Sequence, residues 1–410
     1  MPISISKFIS SQQSSEKSIS LTNLIYFFIW MSKTILYLLD YYLPHAWGVE
    51  TVFEQIISRS VEKGYQVIVL SSLYDPKLKK LEKEHNLKII RTGRWRKSFI
   101  RSGFWTGRKL LKREKIDFIH TSTYWGAIPA SLLGILFKKK VLITVHEIFG
   151  QLWKHYKPWR SARIYQVFEW LIFQLPYSIY HCVSLYTLNS LRIAYWIPDE
   201  KLRLVYNWVD HNFWDRSKVS TDEKNTIRER YQIWTYFSLL YFWHTGISKG
   251  IDTLLEAVPE LLAQSEDLQL IFNFIPAQRD TEIKSKLFSL LEKLPPEAAK
   301  RVKVYNGLPK SELRALVSQV DGVIAPSLSE GFWSVHTETL ALGTPLITTA
   351  ISSLPEVTGG KTIMMRPWDK ASLLSAVQKL KKSEYESLPE KFFDREKQYA
   401  EIELLYQNMS

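Results

Sequence analysis

Short, uninterrupted apolar runs alternate with amphipathic stretches along most of the chain, and this alternation restricts the fold more than any other feature. Thr34–Leu39 is the first such run. A strand covered on both faces reads as one continuous hydrophobic segment, because neither side meets water. Gly64–Leu70, Leu87–Ile90, Phe118–Thr121, Val141–Val145 and Tyr180–Ser184 repeat the pattern, with helix-period segments such as Thr51–Lys63 between most of them. Arg203–Asp210 closes this half, and the polar run Asp215–Asn225 reads as a linker. A second alternation follows: Ser238–Phe242, a helix over Gly250–Leu262, Leu268–Phe274, a helix near Glu282–Leu294, Val302–Tyr305, a helix near Ser311–Gln319, and Gly322–Ala325. The expected fold class is α/β, with two Rossmann-like doubly wound parallel-sheet domains facing a central cleft. Ligands in such folds lie at the carboxyl ends of the strands. The expected boundaries are 1–30 for a Ser-rich extension, unstructured or misannotated, with Met31 as the true start; 31–209 and 210–382 for the domains; and 383–410 for a charged, helix-prone tail.

Composition narrows the setting. At 410 residues and 46% hydrophobic side chains, the chain can bury two cores. The single cysteine, Cys182, excludes an internal disulfide and suits a reducing, cytoplasmic compartment. No apolar run reaches the roughly 20 residues of a membrane span. A net charge of +13 speaks of partners: nucleic acid, an anionic membrane surface, or phosphorylated substrates. The charge is densest in Arg91–Lys115, where Lys and Arg at 91, 94, 96, 97, 101, 108, 109, 112, 113 and 115 face one acid, Glu114. Interleaved Trp95, Phe99, Phe104, Trp105 and Leu110 leave two readings, a solvated helix face or a basic amphipathic surface on anionic lipid, to which Lys138–Lys140 adds. No nucleic-acid-binding module is recognised, so no nucleic acid is expected as a partner.

The chemistry concentrates in Pro326–Pro345, where the strand Gly322–Ala325 runs through a polar loop into a helix. A helix start offers free N–H groups and a positive dipole end, which suits a diphosphate. Glu330 and Glu338 stand eight residues apart, roughly 12 Å along a helix. They cannot share a proton or a metal ion, but can grip two ends of an elongated ligand. Taken alone, Glu-x7-Glu also describes an acidic loop before an ordinary helix. With Gly331-Phe332 after the first Glu and Gly343-Thr344-Pro345 after the second, the stretch resembles the retaining GT-B glycosyltransferases of family 4. Further motifs match that family in order: Pro44–Glu50, Val145-His146-Glu147, Asn207–Asp210, Tyr241–Asp252 and Ser353–Val357.

The resemblance implies a retaining, metal-independent transfer from a nucleotide-diphosphate sugar, with no cofactor, to a glycan or lipid-linked acceptor in cell-envelope polysaccharide synthesis. It places His146, Glu330 and Lys249 at the reaction centre. His244, Gly246, Gly331, Phe332, Glu338, Gly48 and Asn207 go to the donor side: Glu338 at the ribose, Lys249 and His244 at the diphosphate, Gly48 and Gly331 where backbone must approach closely. His244 stands where the family usually has Arg, and binds phosphate either protonated or as a neutral donor. Ser353-Leu-Pro-Glu356-Val would close the nucleotide pocket. The tail is expected to cross back to the first domain, and the enzyme to sit peripherally at the inner face of a membrane. A nucleotide-sugar epimerase, or a degenerate homologue acting as a membrane-surface partner, remains as an alternative.

One departure stands out. Trp47, Trp208, Trp243 and Trp333 occupy positions where the family motifs have glycine, and Trp125, Trp196, Trp234 and Trp368 fall where the surrounding pattern reads as a glycine turn. Trp, at 15, nearly equals Gly, at 16. Tryptophan supplies neither positive φ nor close approach to phosphate. A gene in which UGA specifies glycine, read as if UGA meant tryptophan, would produce this pattern; so would a divergent chain with an aromatic-filled cleft.

Overall fold

The computed structural model describes residues 33–45, 48–94, 96–275, 280–332 and 334–409. The expected extension 1–30, and Trp47 and Trp333, lie outside them.

The first sheet runs in the order β3-β4-β2-β1-β5-β6-β7-β8. Its strands are β1 (Thr34–Leu39), β2 (Gln66–Ser72), β3 (Leu81–Glu84), β4 (Leu87–Thr92), β5 (Phe118–Ser122), β6 (Val141–Val145), β7 (Ile179–Cys182) and β8 (Leu202–Leu204). Every pairing is parallel except β3 with β4. β3 was not expected: Leu-Glu-Lys-Glu has no apolar run, because it is a mostly exposed edge strand. Helices α1 (Gly48–Glu62), α2 (Arg96–Arg113), α3 (Ala127–Phe137), α4 (Trp159–Phe173) and α5 (Leu185–Ala194) flank the sheet. Phe99, Leu133, Phe173 and Leu191, from α2 to α5, share one core with Leu36, Ile119 and Ile143. α1 lies on the opposite face.

The second sheet runs β11-β10-β9-β12-β13-β14-β15. Its strands are β9 (Phe237–His244), β10 (Leu268–Ile275), β11 (Val302–Asn306), β12 (Gly322–Ala325), β13 (Leu346–Thr349), β14 (Gly360–Met365) and the antiparallel β15 (Glu386–Leu388). β9 and β12 are the neighbours at which the winding reverses, so their loops frame the crevice where such folds bind ligands. The run Asp215–Asn225 is not a bare linker. It leads into α6 (Thr221–Tyr231), whose start is a capping box: Glu223 N–H donates to Ser220 Oγ at 3.1 Å and Ser220 N–H to Glu223 Oε2 at 2.8 Å. Among the helices that follow are α7 (Ile251–Gln264), α8 (Lys310–Gln319), α9 (Ser334–Ala341) and α10 (Arg395–Gln407).

α10 returns to the first sheet. Tyr399, Ile402 and Tyr406 pack with Phe53, Ile57 and Tyr37. A buried hydrogen-bond chain starts there. Tyr406 Oη lies 2.9 Å from Tyr37 Oη and 2.9 Å from His120 Nδ1; His120 Nε2 is 2.7 Å from Thr144 Oγ1, which is 3.0 Å from His181 Nδ1. His181 Nε2 must donate to the Val205 carbonyl at 2.9 Å, since a carbonyl only accepts. Burial holds the His181 pKa down to about 4 and that of His120 well below its usual value. With both rings neutral, the hydroxyls of Thr144 and Tyr406 donate toward Nδ1 of each histidine in turn.

Candidate active site

The two loops that frame the crevice are knitted together before any ligand is considered. After β9 the chain passes through Gly246 to Lys249 and turns at Gly250, which has φ +64° and starts α7. A Cβ on Gly250 would lie 1.8 Å from the Pro326 carbonyl oxygen of the loop after β12, so no other residue fits. Leu328 N–H donates to Ser248 O at 2.7 Å. This contact brings Lys249 Nζ to Glu330 Oε1 at 2.6 Å, with both side chains more than nine-tenths buried. Ser327 Oγ donates to the same oxygen at 2.8 Å.

The first domain reaches this pair through the loop after β6. A Cβ on Gly331 would lie 1.4 Å from the His146 carbonyl oxygen and 3.2 Å from Glu147 Cα, so the two loops touch backbone to backbone. At Gly331 the close backbone approach is that of another loop. Gly48, also expected at a close approach, has nothing within 4 Å of a built Cβ. The β6 loop is itself held from behind. Glu169 of α4, fully buried, accepts from the backbone N–H of Phe149 at 2.9 Å and of Gly150 at 2.7 Å, from Tyr124 Oη at 2.7 Å and from Tyr195 Oη at 2.8 Å. Glu356 joins the domains at a second point. It accepts from Leu185 N–H at 2.8 Å and Tyr186 N–H at 3.0 Å, capping α5 of the first domain.

Electrostatics follow burial. His146, 9% exposed, has its pKa lowered to about 3 by desolvation and then by His181, and its buried Nε2 has no hydrogen-bond partner. His244 is likewise pushed down to about 3, by desolvation first and Lys249 second. The neutral form is therefore the relevant one at neutral pH. Gly246 N–H donates to His244 Nδ1 at 3.1 Å, which puts the ring proton on Nε2. Glu338, on α9, is pushed up to about 7 by burial, opposed by Lys310. Phe332 packs edge-on against Phe393, with centroids 5.1 Å apart, and Asn207 is buried where the chain leaves the first domain. Arg91, counted among the basic residues, is buried too; it bonds to Glu82 and donates to the carbonyls of Lys79 at 2.9 Å and Leu43 at 2.8 Å.

Glu147 was not singled out as a site residue. Burial lifts its carboxyl to about 8, opposed by Lys249 and reinforced by Glu330. A carboxyl with a raised folded pKa binds more protons folded than unfolded, so it stabilises fully below about pH 4.5 and loses that contribution as pH rises to about 8. Glu147→Gln should remove this term. In urea unfolding, the stability of wild type relative to Glu147→Gln is expected to fall across that window; a flat or rising difference would refute the assignment.

Among the described residues no group of three or more His, Cys, Asp or Glu is placed to hold a metal ion, and no helix is long and apolar enough to cross a membrane. Residues 47–213 match the family described as Glycosyltransferase Family 4, and residues 239–383 match Glycosyl transferases group 1. The GPI3 subunit of phosphatidylinositol N-acetylglucosaminyltransferase from Saccharomyces cerevisiae is 20% identical over 345 residues, 80% of this chain and 70% of that protein. Sucrose-phosphate synthase from Thermosynechococcus elongatus superposes with a TM-score of 0.74 at 18% identity, over 92% of this chain and 99% of its own. Anabaena HepE, solved in complex with UDP and glucose, superposes with a TM-score of 0.69 at 14% identity, over 92% and 100%. These structures share the GT-B fold.

Proposed function

Because the chain is a glycosyltransferase of family 4, with both halves matched, we propose that it moves a sugar, with retention and without a metal ion, from a nucleotide-diphosphate sugar to a glycan or lipid-linked acceptor in cell-envelope polysaccharide synthesis. The observation that carries this reading is the buried Lys249–Glu330 pair at 2.6 Å, set at the crevice beside the start of α7 and roofed by His146 and Glu147. As the sugar–phosphate bond breaks, negative charge grows on the leaving diphosphate. Lys249, the α7 dipole and the neutral His244 Nε2–H supply fixed donors there. Glu330 lies at the donor sugar and Glu338 at the ribose. The unpartnered His146 Nε2 is a buried polar group kept for the sugar. UDP-sugars are the first donors to try, since HepE was solved with UDP and glucose. A subunit similar to GPI3 points to a lipid-borne acceptor, and hence to a peripheral place at the cytoplasmic face of a membrane. In a screen of UDP-, GDP- and ADP-sugars, transfer is expected with the anomeric configuration kept and with full rate in EDTA. Loss in EDTA with recovery on adding Mn²⁺ would overturn the metal-independent reading, and donor isomerised without acceptor would favour an epimerase.

We propose that glycine is the natural residue where several tryptophans stand, with UGA recoding as the account of it. Trp196 and Trp368 adopt φ +55° and +56°, the left-handed region that favours glycine. Trp208 buries its indole Nε1 without an acceptor, and Trp243 sets its ring 5.8 Å from Lys249 Nζ, a cation–π contact that glycine would remove. Trp196→Gly and Trp368→Gly should each stabilise the chain by about 1 kcal/mol, against the usual loss for glycine. UGG codons at these positions would instead favour the degenerate, surface-partner reading.

A further inference from the structure

We infer that the outer face of α2 to α5 is a bilayer-docking surface for anionic lipid, with α4 seated in the interface; this rests on the lipid-borne acceptor proposed above. These helices cover one side of the first sheet through Phe99, Leu133, Phe173 and Leu191, and their other side meets solvent. On α4 the solvent side carries Ile164, Val167 and Leu171, exposed by 69%, 58% and 52%. Positions i, i+3 and i+7 form one stripe along a helix, so this is an apolar face turned outward, the reverse of a soluble helix. On α3, Ile135 and Leu136 are likewise more than half exposed.

The exposed charges on these helices have one sign. α2 to α5 together contain a single acid, Glu169, and it is fully buried. Arg101, Lys109, Lys112 and Arg113 of α2 and Arg160 and Arg163 of α4 are exposed. A solvated face of ordinary composition mixes both signs. Apolar side chains on helices whose exposed charges are all cations, with Glu114 after α2 and Asp199 beside Arg192 of α5 as flanking acids, match a headgroup layer of anionic lipid, with the aliphatic stripe entering the acyl boundary. The same helix holds the β6 loop through Glu169, so seating α4 fixes His146 and Glu147 relative to the bilayer in which an acceptor would lie.

The test uses the full chain with vesicles of phosphatidylcholine alone and of phosphatidylcholine containing about one-third phosphatidylglycerol. Wild type should sediment with the anionic vesicles only, and less so at high salt. Val167→Asp/Leu171→Asp should weaken that binding by at least roughly tenfold, with thermal unfolding unchanged because both side chains are exposed. Equal binding by the double variant, or no binding by wild type, overturns the inference. So does a wild-type dimer that the double variant makes monomeric, which would assign the stripe to a second copy. Donor turnover without vesicles is measured in parallel. Turnover without vesicle binding defeats this inference alone; vesicle binding with no turnover of any nucleotide sugar supports it and defeats the proposed function.

Discussion

Lys249→Met should abolish sugar transfer while revealing what the lysine does for the fold. Removing one fixed donor aimed at a developing anion typically costs ~3 kcal/mol of transition-state stabilisation, a factor of 10²–10³ in rate. A second loss comes from Glu330. Its carboxylate is buried, with desolvation raising its pKa and Lys249 opposing that rise. Stripped of its partner at 2.6 Å, it must stay charged in an apolar setting or take up a proton. Breaking such a pair costs about 3–5 kcal/mol, whereas replacing both members is often neutral. Lys249→Met/Glu330→Gln should therefore recover stability in urea unfolding and recover no activity. Recovery of activity in the double variant would mean that the pair serves the fold alone, and the lysine would lose its place at the diphosphate.

Gly331→Ala is expected to have the next largest effect. Its new methyl would sit 1.4 Å from the His146 carbonyl oxygen, and backbone cannot turn aside as a side chain can. Restoring an ordinary contact of about 3.4 Å requires the β12 and β6 loops to part by roughly 2 Å. Misplacement of about 1 Å between reacting groups can cost 10²-fold, so kcat/KM for donor and a soluble acceptor should fall by at least about that factor. Stability should fall by about 1–3 kcal/mol, the usual range for overpacking. Near-normal turnover in this variant would show that the loops need not touch during the reaction.

Much of the scaffold was legible because parallel strands covered on both sides leave unbroken apolar runs. β1, β6, β10 and β12 are of that kind. The edge strands β3 and β15 escaped for the complementary reason: β3 is Leu-Glu-Lys-Glu, and β15 lies in a charged tail, Glu386–Leu388, where backbone pairing with Gly360–Thr362 outweighs helix propensity. α6 was hidden by its polarity, although Ser220 with Glu223 three residues on carried the capping signal. At the site, Lys249 and Glu330 were each readable from their motifs. Their contact was not, since 81 residues separate them and only the packing of two loops brings them together. Glu147 and Glu169 show the limit most clearly. The apolar neighbours of Glu169 in Val167-Phe168-Glu169-Trp170-Leu171 did not mark it as buried, since Val167, Trp170 and Leu171 are exposed, and which four groups it binds depends on where other loops fall.

The return of α10 has a consequence for synthesis. The buried chain through His120, Thr144 and His181 ends on Tyr406, and the core around Phe53 and Ile57 is completed by Tyr399 and Ile402. Domains usually fold in turn as they leave the ribosome, the N-terminal one first. Here the earlier domain lacks one wall of its core until residues near 400 have emerged, so the later sheet, which needs nothing from α10, can close before it. Order of translation and order of completion run in opposite directions.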